Sequence, residues 1–146
     1  MPYDNTLLTA CLVAAGVGQI ALVVASLWIP AALDFRGQIA RLRPILRELF
    51  WTYAGYIWLT NLCFGLLSAL APGWLTDGSP LAAAVTGYIF LYWGARVTIQ
   101  FAGFDRSDMP VGRKYRLAEA ALVALFVFLT VTYGWTAVAN LKALAT

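Results

Sequence analysis

Tyr88, Tyr92, Arg96 and Gln100 stand four residues apart inside an apolar run from Leu81 to Gly103. On a helix, residues at that spacing sit nearly above one another, drifting by about 40° per step. The run therefore reads as a helix with one polar stripe that closes on an arginine and an amide. Phenol, guanidinium and amide donors in a row suit recognition of a carboxylate or phosphate. Arg96 falls roughly 10 Å inside the nearer end of the run. Without relief, a charge held there in hydrocarbon costs at least about 2.5 kcal/mol. Relief can come by snorkelling to the interface, by pairing with Glu119, or by binding an anionic ligand or lipid headgroup.

Tyr56, counted along the preceding apolar run, falls at the same depth as Arg96, with Tyr53 between it and the surface. Its hydroxyl would donate to the same anion; the plainer reading is a core aromatic with a satisfied hydroxyl. Arg96, Gln100, Glu119, Tyr56 and Tyr92 are thus the candidate ligand-binding set. Gln19 and Asn61, with Tyr92, fall near the middle of three different runs. Amides in hydrocarbon usually join helices, at about 0.6 kcal/mol per bond. A polar pathway for a solute would need the same residues to line water.

Other chemistry finds little support. The chain has no histidine, which excludes His-ligated haem, His-containing metal sites and His acid/base catalysis. No phosphate-binding glycine loop and no metal-ligand spacing is present. Serine and cysteine nucleophiles would have to use Lys114 or Lys142 as base, and those lie at opposite faces. Asp34, Asp105 and Asp108 could hold a divalent ion, yet in arginine-rich loops they read first as solvated ion pairs. Cys11 and Cys63 lie in different apolar runs and read as small buried hydrophobes. No cofactor and no metal is expected.

The elements that must carry these residues follow from composition. Hydrophobic residues make up 62% of the 146 and charged residues 12%, against about 45–50% and about 25% in a soluble domain. A membrane is the natural place for such a chain, and the length holds four spans of about 20 residues with little left over. The runs predict spans at about 7–29, 49–71, 81–103 and 117–140 in one membrane domain covering 1–146, an all-α, up-down-up-down four-helix bundle. Asp4, Asn5 or Thr6 can cap the first helix. Pro44 is placed to start the second, Pro72-Gly73 ends it, and Ser79-Pro80 reads as N-cap and first residue of the third. Asp108 with Pro110 suggests a helix starting ahead of the fourth span. Gly16 and Gly18 let a neighbouring helix come close.

Two basic connectors separate the spans. Residues 31–48 hold Arg36, Arg41, Arg43 and Arg47; residues 104–116 hold Arg106, Arg113, Lys114 and Arg116. The termini and the middle turn together have Lys142 alone. Short loops rich in arginine and lysine stay cytoplasmic, so both connectors are expected inside and both termini outside. Ile39, Leu42, Ile45, Leu46 and Leu49 recur at helical spacing, so part of the first connector is expected to lie on the membrane surface. The pI near 9.1 then reflects topology and anionic headgroups, not nucleic acid. The N-terminal hexapeptide has no lysine or arginine, and no cleavable signal is expected.

Size and span number resemble those of small multidrug transporters and fluoride channels. The former carry an acidic residue deep in the first span, where this chain has Gln19, and the phenylalanine-asparagine filter pattern of the latter is not found. The resemblance ends at outline and assigns no family. The expectation is a multi-pass protein of a bacterial inner (plasma) membrane, non-enzymatic, that binds lipid or a membrane-protein partner through a polar cluster on the cytoplasmic side. A subunit of an oligomeric small-solute transporter or channel is the alternative, and an intramembrane enzyme on a lipid-linked substrate is the third reading. Membrane lipids, and a homo-oligomer or larger membrane complex, are the partners considered.

Overall fold

The computed structural model describes residues 5–28, 35–103 and 112–146. It is all-helical, with no strand among the described residues. Four helices are long: α1 (Asn5–Ser26), α3 (Pro44–Leu70), α4 (Pro80–Ala102) and α5 (Arg113–Leu144). A short helix α2 (Phe35–Ala40) precedes α3, and a single 3-10 turn, Pro72–Leu75, follows it. Three helices, α1, α3 and α5, are long and apolar enough to cross a membrane. The fourth, α4, has 23 residues, about 35 Å of rise, but Arg96, Gln100 and the tyrosines interrupt its apolar character.

Local chemistry explains the boundaries. Pro44 opens α3 at its first turn, where a missing N–H costs nothing. Pro72 closes it, with the Ala71 N–H returning to the Leu67 carbonyl at 3.0 Å. Ser79 caps α4, its Oγ accepting from the Ala82 N–H at 3.0 Å, and Pro80 follows as the first helical residue. Three boundaries lie four or more residues from the spans read off the sequence. Helix α3 begins at Pro44 instead of 49, and α5 runs from Arg113 to Leu144 instead of 117–140. The apolar run marks only the part suited to hydrocarbon; the backbone hydrogen bonds continue through Arg47-Glu48 and Lys114-Tyr115-Arg116. Residues 44–48 thus belong to the long helix, and only Phe35–Ala40 forms a separate helix in the first connector. Asp4, Asp34, Asp105, Arg106, Asp108 and Pro110, with the readings placed on them, lie outside the described residues, as does the Arg36 side chain.

The long helices pack as two antiparallel pairs. In the first, Gly16 of α1 meets Gly65 and Ala69 of α3, while Trp58 Nε1 donates to the Val23 carbonyl at 3.3 Å toward the other end. A Cβ added at Gly16 would come within 2.5 Å of the Ala69 backbone nitrogen and 2.8 Å of the Gly65 oxygen. Only glycine permits that approach. In the second pair, Gly134 of α5 receives the Phe90 ring of α4, and Asn140 faces Thr86. Leu12, Ala15, Leu75, Ile89, Trp93, Phe126, Leu129 and Tyr133 form the shared core between the pairs. Buried threonines hydrogen-bond their own helices. Thr86 donates to the Ala82 carbonyl at 2.6 Å and Thr136 to that of Thr132 at 2.8 Å, so neither asks for a partner elsewhere.

This packing gives the molecule two unlike ends. At the turn end, α3 finishes, α4 begins, α1 starts and α5 ends. At the loop end, α1 and α4 finish and α3 and α5 begin.

Candidate functional site

Four helices each send one side chain to a common point. Gln19 of α1 donates from Nε2 to the Tyr133 hydroxyl of α5 at 2.6 Å. Its Oε1 accepts from Trp93 Nε1 of α4 at 3.2 Å. The Tyr133 hydroxyl shares its other hydrogen bond with Ser68 Oγ of α3. All four residues are buried, Gln19, Ser68 and Tyr133 completely. The second Gln19 N–H points to the Ala15 carbonyl at 3.5 Å. Every polar atom of the group therefore has a partner within the protein. In a medium without water that is the condition for keeping an amide and a phenol inside at all.

A second polar cluster fastens the turn end. Asn140 is buried and donates from Nδ2 to the Leu75 carbonyl at 2.8 Å, while its Oδ1 accepts from the Gly78 N–H at 3.1 Å. Gly78 holds φ +74°, and a Cβ there would meet Ala143 at 3.1 Å. The turn's backbone is thus tied to α5. Beside it, Asp77 accepts from the Ser79 N–H at 2.8 Å. Hydrogen bonds from the Ser79 side chain and backbone hold its carboxyl below the usual carboxylate range.

The residues of the polar stripe do not stay on one face. Tyr88 is exposed, Tyr92 and Arg96 are half-buried, and Gln100 is buried. A 40° drift per step adds up to about 120° over three steps, enough to carry the stripe from the outside of α4 to its inside. The inward face is Ala82, Thr86, Ile89 and Trp93. Arg96 donates from Nη1 to Gln100 Oε1 at 3.0 Å, and Gln100 Nε2 lies 3.4 Å from Glu119 Oε1. The guanidinium also sits over the Phe126 ring, 4.8 Å from its centroid. Gln100 therefore relays between the arginine of α4 and the carboxylate of α5, and an aromatic face shares the cation. Tyr92 packs edge-on against Phe64 and Trp93, with the Asn61 side chain beside its hydroxyl. Asn61 Oδ1 is buried without a hydrogen-bond partner. Tyr56 is 63% exposed and faces out of the chain.

Of the candidate residues, then, Arg96, Gln100 and Glu119 come together, Tyr92 groups with Asn61, and Tyr56 stands apart. Gln19 sits at the level of Trp93, one residue round the helix from Tyr92, so Gln19 and Asn61 flank α4 on different sides. Sequence reasoning missed Ser68, Trp93 and Tyr133 as partners of Gln19. The available signal was the count of donors: a mid-span glutamine needs three partners, and Trp93 lies at matching depth on the third run, while Tyr133 and Ser68 lie nearer the outer edges of theirs and depth alone does not single them out.

The loop end has a different character. Every residue of α3 from Ile45 to Tyr53 and of α5 from Arg113 to Ala118 is exposed. Exposed cations crowd there: Arg41, Arg43, Arg47, Arg113, Lys114 and Arg116, against the carboxylates Glu48 and Glu119. Arg36 and Arg106, with Asp34, Asp105 and Asp108, belong to the same connectors by sequence, so cations remain in excess. Trp51, Tyr53 and Tyr56 lie exposed just below. Such an arrangement of amphipathic rings under a ring of cations fits a membrane–water interface. Comparisons with protein-family models, curated proteins and solved structures gave no match to this chain.

Proposed function

We propose that the chain is a four-span, up-down-up-down membrane bundle with both termini outside, in a plasma membrane of the bacterial inner-membrane type. Its role is non-enzymatic: it binds anionic lipid of the leaflet that meets its loop end. One observation carries this reading, the excess of exposed cations set directly over exposed Trp51, Tyr53 and Tyr56. Each lysine or arginine near an anionic bilayer surface contributes about 1 kcal/mol of attraction. The Arg96–Gln100–Glu119 relay, whose charges balance within the protein, serves in this reading to hold α4 and α5 together beneath that surface. The alternative of a solute pathway finds less support, because Gln19, Ser68, Trp93 and Tyr133 spend their hydrogen bonds on one another instead of on water.

The test is native mass spectrometry of the full chain extracted in mild detergent. Retention of phosphatidylglycerol or cardiolipin over phosphatidylethanolamine is expected. A chain that emerges without lipid, or with lipids in the membrane's own proportions, would sink the reading.

A further inference from the structure

Between α2 and the first turns of α3 lies an open cavity of ≈ 370 Å³, lined by Ile39, Ala40, Arg47 and Trp51. The notch lies where the chain turns at Arg41 and Leu42 between the two helices. The Leu42 N–H closes on the Ile39 carbonyl at 3.0 Å, and the Leu46 and Arg47 N–H groups both return to the Arg43 carbonyl. Ile39 is 8% exposed and forms an apolar floor. Arg47 and Trp51 are one helical turn apart, so they rise on the same side of α3 as two parts of one wall. Glu48 is about 100° round the helix from Arg47 and is not part of the lining. Arg41 and Arg43 are exposed on the segment that joins the two helices.

We infer that this notch seats the headgroup of one anionic phospholipid, with Arg47 on the phosphate, Trp51 at the glycerol ester level and Ile39 and Ala40 under the start of the acyl chains. The inference rests on the lipid-binding reading above and places its specific seat. Charge complementarity chooses the occupant: the polar wall is a guanidinium, whose fork of N–H donors matches phosphate oxygens, and its neighbours are further arginines. Depth chooses a lipid over a soluble phosphate, because the floor is apolar and an indole stands where amphipathic rings settle in a bilayer. The volume suits a headgroup and glycerol, within the range of small-molecule sites.

The experiment titrates the full chain in detergent with a short-chain phosphatidylglycerol and counts adducts by native mass spectrometry. Phosphatidylcholine of the same chain length and inorganic phosphate serve as separate probes. The expected result is one saturable phosphatidylglycerol adduct. Arg47→Gln should weaken that step about tenfold, the equivalent of about 1.4 kcal/mol. Arg47→Lys should recover part of the loss, and Arg113→Gln/Lys114→Gln/Arg116→Gln should change it by less than about threefold. Inorganic phosphate should not compete. If phosphatidylglycerol binds but Arg47→Gln matches the wild type, or the second-connector variant loses as much, the notch is not the seat although lipid binding stands. Full competition by inorganic phosphate would overturn the choice of a lipid. No preference of the wild type for phosphatidylglycerol over phosphatidylcholine would remove both this inference and the reading beneath it. Arg47 and Trp51 are exposed, so these variants leave the core intact, and an unchanged melting temperature checks it.

Discussion

The interior and the loop end of this molecule are built from similar residues and treat them oppositely. From the middle of the helices to the turn, polar side chains lie inside and answer one another: Gln19 with Tyr133 and Trp93, Tyr133 with Ser68, Asn140 with Leu75 and Gly78. At the loop end, aromatic and basic side chains lie outside, and α3 runs exposed from Ile45 to Tyr53. The turn Ala71 to Ser79 is tied to α5, where Asn140 holds the Leu75 carbonyl and the Gly78 N–H, while the close helix contacts are those of α1 with α3 and of α4 with α5.

The sharpest way to break that contrast is a matched pair of substitutions. Gly16→Ala places a methyl against the backbone of Ala69 and Gly65, neither of which can rotate away. It should destabilise by about 1–3 kcal/mol, as overpacking does. Gly55→Ala meets nothing within 4 Å. It should be neutral or gain about 0.5–1 kcal/mol from helix propensity. Thermal unfolding of the two variants in one detergent decides it; equal effects would mean that the ends are packed alike.

Next in size is Gln19→Leu, which removes the acceptor for the Trp93 indole and the donor to Tyr133. Leaving those groups unsatisfied should cost about 1–3 kcal/mol, with a change in the Trp93 environment seen as shifted fluorescence. If the variant unfolds like the wild type, the four-helix contact point is not what holds the interior together.

Arg96→Leu should cost less, about 1 kcal/mol, because the arginine is half-buried, and the contacts it loses include the hydrogen bond to Gln100 and the Phe126 ring face. Adding Glu119→Gln should recover part of the loss if Gln100 couples the two. A double-mutant cycle with strictly additive effects would show no relay.

The smallest effect concerns pH. The Asp77 carboxyl is held below its ordinary range by Ser79, so its contribution is complete above the unfolded value and fades as pH falls through the folded one. Wild type and Asp77→Asn should therefore differ slightly in melting temperature at neutral pH and converge in acid. A difference that grows on acidification would contradict the assignment.

Much of the helical layout was legible because punctuation and periodicity agreed. Pro44, Pro72 and Ser79-Pro80 mark boundaries that the structure keeps, and the apolar runs lie within or close to the long helices. The ends of α3 and α5 were not, since helices extend past hydrocarbon into charged residues that a hydropathy count discards. The polar stripe of α4 was legible as a stripe but not as a spiral: adjacent steps look aligned, and only the accumulated drift separates Tyr88 from Gln100. Tyr56 misled for a related reason. Depth can be counted along a sequence, but the side of the helix on which a lone aromatic stands depends on where its neighbours pack. Gln19 was visible as a buried amide; its partners became identifiable only once Trp93, not Tyr92, was seen to face the centre.

The central claim is that the lipid response belongs to the loop end and fold closure to the buried polar interior. It is tested most directly by the rise in melting temperature on adding phosphatidylglycerol to three purified proteins: wild type, Gln19→Leu and Arg41→Gln/Arg43→Gln/Arg47→Gln. The second connector keeps its own cations, which preserves the basis for orientation in the last of these. Gln19→Leu should start lower and rise by the same increment as wild type, since a ligand stabilises in proportion to its affinity for the folded state. The arginine variant should start level with wild type and lose most of the increment. An arginine variant that rises fully, or a Gln19→Leu protein that does not rise, would contradict the account.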